Sequence, residues 1–266
     1  MEELAKLRAQ INNIDDEIIS LLKQRVKIVR RVGNIKKESS TSQSFIRAGR
    51  EAKMLRDLTK KANGIFPPEA IATMWRMIIS TSLSIEQEII LHIYKVHNNN
   101  CFWLAREYFG TFLQIKQHTN PQSLIKEVAK NSAAVGILPF IDKSAKPWWL
   151  RPKNEKNNIY VFAKIPFIEE ASLPSALAIA NTIPETTKDD VSIFVINTNK
   201  PKKKVVEIFT RYNMHTKIIS KKGNNILLST DNFVAIGDIK VKQIEADLGK
   251  DSTARLMGSY AATIAK

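Results

Sequence analysis

Cysteine is nearly absent from this chain. Cys101 is the only one among 266 residues, which excludes an intramolecular disulfide and any thiolate metal cluster. One cysteine also fits a reducing, cytoplasmic setting. Long apolar runs are missing as well: no stretch of about 18 apolar residues occurs, so no membrane span is expected. The opening MEELAKLRAQ is charged and lacks the apolar centre of a signal peptide. Glycine is sparse and no glycine-rich phosphate loop occurs. The histidines, His92, His97, His118 and His215, show no metal-ligand spacing, so no metal and no cofactor is expected. No strong nucleophile stands beside a base. Acidic residues are outnumbered, 26 against 41 Lys and Arg, for a net charge of +15. Such a balance invites a nucleic-acid reading, but the excess is spread along the chain. Only NKPKKKVV, residues 199–206, is dense, and it reads as a solvated loop and helix start. A basic balance also suits a small anionic substrate.

What is present begins with a stripe. Leu4, Leu7, Ile11, Ile14, Ile18 and Leu21 follow one another at alternating intervals of three and four, and Ile28, Val32 and Ile35 keep the rhythm. That is a coiled-coil-like seam on one helix over residues 2–37. A seam this long cannot bury itself and calls for other helices, including one from a second subunit. ESSTSQS ends it with turn-favouring residues. A second helix is expected over 48–62, stopped by NGIFPPEA, where Gly64 suits a C-terminal cap and Pro68 a first turn. A third is expected over 68–94, with Ile71, Trp75, Ile78 and Ile89 inward. Beyond KVHNNN, short apolar runs at 133–140, 158–165, 191–196, 224–230 and 232–239 read as strands, with helices near 121–130 and 203–212 between them. This alternation predicts α/β or α+β packing. The domains are therefore set at 1–90 (helical), 98–185 and 190–266, with the polar IPETTKDD at the second boundary.

Arg25 interrupts the seam. A buried guanidinium needs a partner, because an uncompensated buried charge costs several kcal/mol. Lys36 lies 11 residues on, 1100° at about 100° per residue, and so within about 20° of the same face. On the third helix, Ser82 and Glu86 continue the stripe begun by Trp75. Arg50 and Glu51 open the helix between. Two cations with few acids nearby make a pocket for a molecule with more than one carboxylate, working by holding an anion and stabilising charge. The same residues are equally compatible with a structural polar core in which Arg25 pairs with a glutamate of another helix.

LRAQINNIDDEIISLLKQRVKIVRRVGNIKK, RAGREAKMLRDL and IATMWRMIISTSLSIEQ together closely resemble the all-helical chorismate mutases over about residues 1–88. The shared motifs, L-R-x-x-I-x-x-I-D, L-x-x-R, G-x-I-K and R-E, occur in order. The resemblance implies an intertwined homodimer of three-helix subunits that rearranges chorismate to prephenate without a cofactor. It implies that Arg25 binds a substrate carboxylate and that Arg8 reaches across to the partner's site. Lys36 and Glu86 face the ether oxygen, Glu51 holds the ring hydroxyl, Arg50 supports the carboxylate end, and Ser82 adds a hydrogen bond to a carboxylate. Only a protonated Glu86 can donate to that oxygen, so turnover is expected to fall as pH rises. Arg47 stands where some relatives carry an acid, and Arg30, Arg31 and Arg76 read as solvated or structural.

Further on, AREYFGTFLQIKQHTNPQSLIKEVAKNSAAVGILPF resembles part of a prephenate dehydratase, and VSIFVINTNKPKKKVVEIFTRYNMHTKII with RLMGSYA resembles an ACT regulatory domain. The chain is similar to a mutase–dehydratase with a reduced middle, and to the shorter two-part chorismate mutases of some alphaproteobacteria. The dehydratase Thr-Arg-Phe motif and the Glu-Ser-Arg-Pro segment are absent. The expected fold is multidomain: an all-α intertwined-dimer unit, then α/β and ACT-like α+β units. The expected function is chorismate mutase in phenylalanine and tyrosine biosynthesis, with chorismate as partner and no nucleic acid or membrane. The alternatives are a bifunctional mutase–dehydratase and a non-enzymatic binding protein on the same scaffold.

Overall fold

The computed structural model describes residues 1–38, 46–62, 64–95, 100–142, 144, 147–150 and 158–265, without the side chains of 36–38. The polar end expected for the first helix, most of KVHNNN, His97 and part of KPWWLRP lie outside the described residues. Helix α1 (Glu2–Glu38) is followed by α2 (Ala48–Lys61) and α3 (Pro68–Glu86). Pro68 sits in the first turn of α3, where its missing N–H costs no hydrogen bond. The helix anticipated to Tyr94 stops at Gln87, which is extended (φ −156°, ψ 141°). Residues Ile90–Tyr94 form strand β1 instead. A short run such as IILHIY fits either element by periodicity, and pairing with two neighbouring strands decides it. Of the residues expected inward, Ile89 is buried in the core shared with the sheet and Trp75 packs against it, while Ile71 and Ile78 are half-buried; Ile79 and Leu83 join that core, and Ala72 and Arg76 are buried beside them.

The chain continues with α4 (Cys101–Phe109), β2 (Gln114–His118), α5 (Pro121–Lys130), β3 (Ala134–Pro139), β4 (Tyr160–Ile165), β5 (Ile168–Glu169) and β6 (Ala176–Ala180). Then follow β7 (Asp190–Asn197), α6 (Lys202–Arg211), β8 (Thr216–Lys222), β9 (Asn225–Thr230), α7 (Ile239–Leu248), β10 (Thr253–Ala261) and β11 (Ile264–Ala265). Nine strands make one sheet in the order β2-β1-β3-β6-β4-β10-β7-β9-β8. It takes in residues ahead of 98 and passes from the 98–185 stretch into the 190–266 stretch without a break. The link is β10 against β4, in register at Gly258 and Val161. The strand expected over 232–239 does not form. Ser192 Oγ donates to Asn232 O (2.6 Å) and accepts from Val234 N (2.9 Å), so a serine side chain, not a ladder, satisfies that backbone. Asp238 then caps α7 by accepting from Lys240 N.

Helices α2 and α3 share a core with the sheet. Leu55, Ile79 and Leu83 join Leu91, Ile93, Phe109, Phe162 and Ile165 in one buried cluster. Trp148 and Trp149 are fully buried in a second cluster, Trp148 Nε1 donating to Pro139 O (2.8 Å). Helix α1 differs. Its stripe lies open in the single chain, Ile14 at 56% and Ile35 at 64% exposure. Among the described residues no helix is long and apolar enough to cross a membrane.

Candidate active site

Three helices bring four of the anticipated residues together. Gly33 lets α1 run close to the end of α3: a Cβ there would stand 3.3 Å from Glu86 Cγ. One α1 segment earlier, Arg25 Nη1 donates to Ser82 Oγ, and that hydroxyl donates onward to Ile78 O (2.7 Å). Burial pushes the Arg25 pKa down, the Arg50 charge pushes it further, and Glu86 opposes both. Arg25, Arg50, Ser82 and Glu86 therefore feel one another's charge or hydrogen bond across α1, α2 and α3. The arrangement disfavours its own positive charge and is relieved by an anion.

Glu51 occupies a different setting. It is buried, and Oε2 accepts from Arg76 Nη1 at 2.6 Å. Arg76 Nε donates to Tyr108 O (3.2 Å), and the guanidinium lies 3.8 Å from the centre of the Tyr108 ring. Burial works against the Arg76 charge, but Tyr108 and Glu51 outweigh it and push its pKa up. Glu51, a glutamate of the second helix, is thus engaged by Arg76, while Arg25 bonds to a serine and feels the Glu86 charge. Arg8 is not brought to the group: 17 residues separate it from Arg25, about 25 Å along one helix. The side chain of Lys36 lies outside the described residues.

Other arginines fix the start of α2, where Arg50 and Glu51 sit. Arg47 pairs with Glu185 (3.1 Å), and a Cβ on Gly49 would stand 3.0 Å from Glu185 O. Arg56 bonds to Thr187 Oγ1 (3.1 Å), Asp189 O (2.9 Å) and Ala262 O (2.8 Å), and pairs with the Asp189 carboxylate (3.2 Å). The IPETTKDD segment, read as a boundary, therefore also grips α2. Sequence reasoning missed Arg56, and it read Arg76 as solvated or structural without naming its partner. Arg76 carried a usable signal, since it stands in the Ala72–Ile79–Leu83 stripe of α3 as Arg25 stands in the seam of α1. Among the histidines, His92 Nδ1 and His118 Nε2 lie 2.9 Å apart on adjacent strands, and burial lowers both pKa values. Among the described residues no group of three or more His, Cys, Asp or Glu could hold a metal ion.

The set Arg25, Arg50, Glu51, Ser82 and Glu86 falls within residues 7–87, the segment that matches the family model "Chorismate mutase type II". That match takes in the three helices and stops short of the sheet. The chain is also similar to bifunctional chorismate mutase/prephenate dehydratases: 34% identical over 145 residues to that of Aquifex aeolicus, and 24% over 141 residues to that of Stutzerimonas stutzeri. Each match covers 52% of this chain and 39% of the relative. The chain thus spans about two-fifths of the length of the curated relatives it matches. A match of 145 residues is longer than the mutase domain and runs into the sheet region. Among solved structures, a prephenate dehydratase from Arthrobacter aurescens in complex with L-Phe superposes with a TM-score of 0.47 at 11% identity, covering 65% of this chain and 90% of that one.

Proposed function

We propose that the protein rearranges chorismate to prephenate in the route to phenylalanine and tyrosine. The observation that carries this reading is the meeting of Arg25, Arg50, Ser82 and Glu86 from three helices inside a chorismate mutase type II domain. Within one substrate molecule a C–O bond breaks as a C–C bond forms, and no proton is lost or gained overall. The protein's task is to hold the compact chair-like conformer and to stabilise charge growing on the ether oxygen. Arg25, oriented by Ser82, takes one carboxylate, and Arg50 supports that end. Lys36 and Glu86 face the ether oxygen, and Glu51 receives the ring hydroxyl. Two copies pair through the open α1 stripe, and Arg8 of each completes the site of the other. A cytoplasmic protein that binds neither nucleic acid nor membrane fits this role.

The test supplies purified protein with chorismate and detects prephenate and phenylpyruvate separately. Prephenate alone is the expected result. The names of the relatives favour a second reading, a mutase–dehydratase, and enzymatic phenylpyruvate at neutral pH would establish it. Untouched chorismate would sink both.

A carboxylate cannot donate a hydrogen bond, so Glu86 assists the ether oxygen only when protonated. Glu86→Gln, whose amide donates without a titrating proton, is expected to retain or raise kcat/KM for chorismate. A loss of turnover in Glu86→Gln would remove Glu86 from this role.

A further inference from the structure

The mutase domain is fastened to the rest of the chain at a residue of its own site. Glu51 reaches the sheet region through Arg76 alone among the contacts described above. The chain of contacts runs from Glu51 Oε2 to Arg76 Nη1 (2.6 Å), and from Arg76 Nε to Tyr108 O (3.2 Å). Tyr108 belongs to α4, the helix between sheet strands β1 and β2. Its ring also covers the guanidinium at 3.8 Å. Arg76 is therefore pinned at its Nε edge and on one face, and both ends of the ion pair are buried, at 3% and 11% side-chain exposure.

The end of α4 packs closely against α3. Gly110, which ends the helix with φ +89°, is so close that a Cβ there would stand 2.8 Å from Met77 Sδ, on the turn of α3 next to Arg76. A planar guanidinium held in this way presents Nη1 in one direction. A carboxylate has two oxygens, and holding Oε2 narrows the directions in which Oε1 can point. The Glu51 carboxylate then meets a ligand hydroxyl already oriented, with no rotamer search at binding.

We propose that Arg76 is a positioning residue for Glu51, and that through Tyr108 it makes mutase turnover depend on the α/β region packed behind α3. This rests on the mutase reading above. It assigns the sheet region a part in the mutase site itself, whatever other activity that region has.

The test is a cycle between protein and substrate. Arg76→Lys keeps a cation near Glu51 but loses the Nε donor and the stacked plane. Rates are measured with chorismate and with its analogue lacking the ring hydroxyl. Arg76→Lys is expected to lower kcat/KM for chorismate by about 10- to 100-fold, the scale of a misplaced binding group. For the analogue, on which Glu51 has nothing to hold, the loss is expected to stay within about twofold, because coupling is confined to partners in contact. Tyr108→Leu, which leaves the carbonyl but removes the ring, repeats the measurement should Arg76→Lys fail to fold, and Tyr108→Phe is expected to behave as the unsubstituted protein. Equal losses on both substrates, with the unsubstituted protein active, would overturn the positioning role and leave the mutase reading intact. No turnover by the unsubstituted protein would overturn both.

Discussion

Arg25→Ala is expected to abolish most turnover while leaving the fold as stable as before. The predicted loss in kcat/KM for chorismate is about 10²- to 10³-fold, the usual scale for removing one preorganised charge-stabilising donor. The stability side follows from the sign of the Arg25 shift. Burial and Arg50 lower its pKa, so folding works against its charge, and Glu86 only partly offsets this. Alanine removes that opposition along with the hydrogen bond to Ser82, whose hydroxyl keeps its bond to Ile78 O. The thermal midpoint is therefore expected to hold or rise. A residue kept for an ion-pair core would show the reverse: a lower midpoint with activity retained.

Arg8→Ala is expected to be as inactive as Arg25→Ala, and mixing the two offers a sharper measurement. If Arg8 acts across a two-fold interface, a mixed dimer has one site lacking both arginines and one lacking neither. Random reassortment then restores about a quarter of the unsubstituted activity, since half of the dimers are mixed and half of their sites are intact. No recovery after verified subunit exchange would place Arg8 outside the partner's site.

Much of this site was legible in the sequence because its signals are local. The three-four seam of α1 holds for more than eight turns, and a polar residue on it stands out against the repeat. The same logic placed Ser82 and Glu86 on one face of α3. What the sequence could not show is which side of α3 faces which neighbour. The helix is apolar on two faces, one toward α1 and one toward the sheet, and a single periodicity cannot divide them. Arg76 reads as solvated or structural in the sequence, and its partners, Glu51 and Tyr108, lie 25 and 32 residues away in the chain. Strand β1 reads as an extension of the preceding helix because its strand character comes from lying between β2 and β3. The units after residue 98 were legible as alternating elements. Their fusion into one sheet was not, because it depends on one close backbone approach.

That approach supplies the largest expected effect on stability. Gly258 adopts φ +135°, and a Cβ there would stand 2.2 Å from Val161 O and 2.5 Å from Val161 N. Both are backbone atoms, which cannot rotate away as a flexible side chain can. The β10–β7 register also shifts between Leu256 and Gly258, so the glycine sits at an irregularity that bends β10 toward β4. Gly258→Ala forces β10 off β4 or forces that irregularity out, and either change breaks the one register point joining the two halves of the sheet. The expected destabilisation exceeds about 4 kcal/mol, the range reached only by severe core and backbone clashes. Gly223→Ala is the control. It shares a positive φ, +57°, but meets nothing within 4 Å, and its cost is expected near 1 kcal/mol, the left-handed penalty alone. Urea unfolding followed by tryptophan fluorescence separates the possibilities, because Trp75, Trp103, Trp148 and Trp149 all precede residue 190. A collapse of the whole transition in Gly258→Ala means that the junction holds both halves in one cooperative unit. A tryptophan transition unchanged while far-ultraviolet ellipticity is lost at lower urea means that the two halves unfold separately. Equal, small shifts in Gly258→Ala and Gly223→Ala would show that the strands do not approach closely at Gly258, and the sheet would then be two sheets.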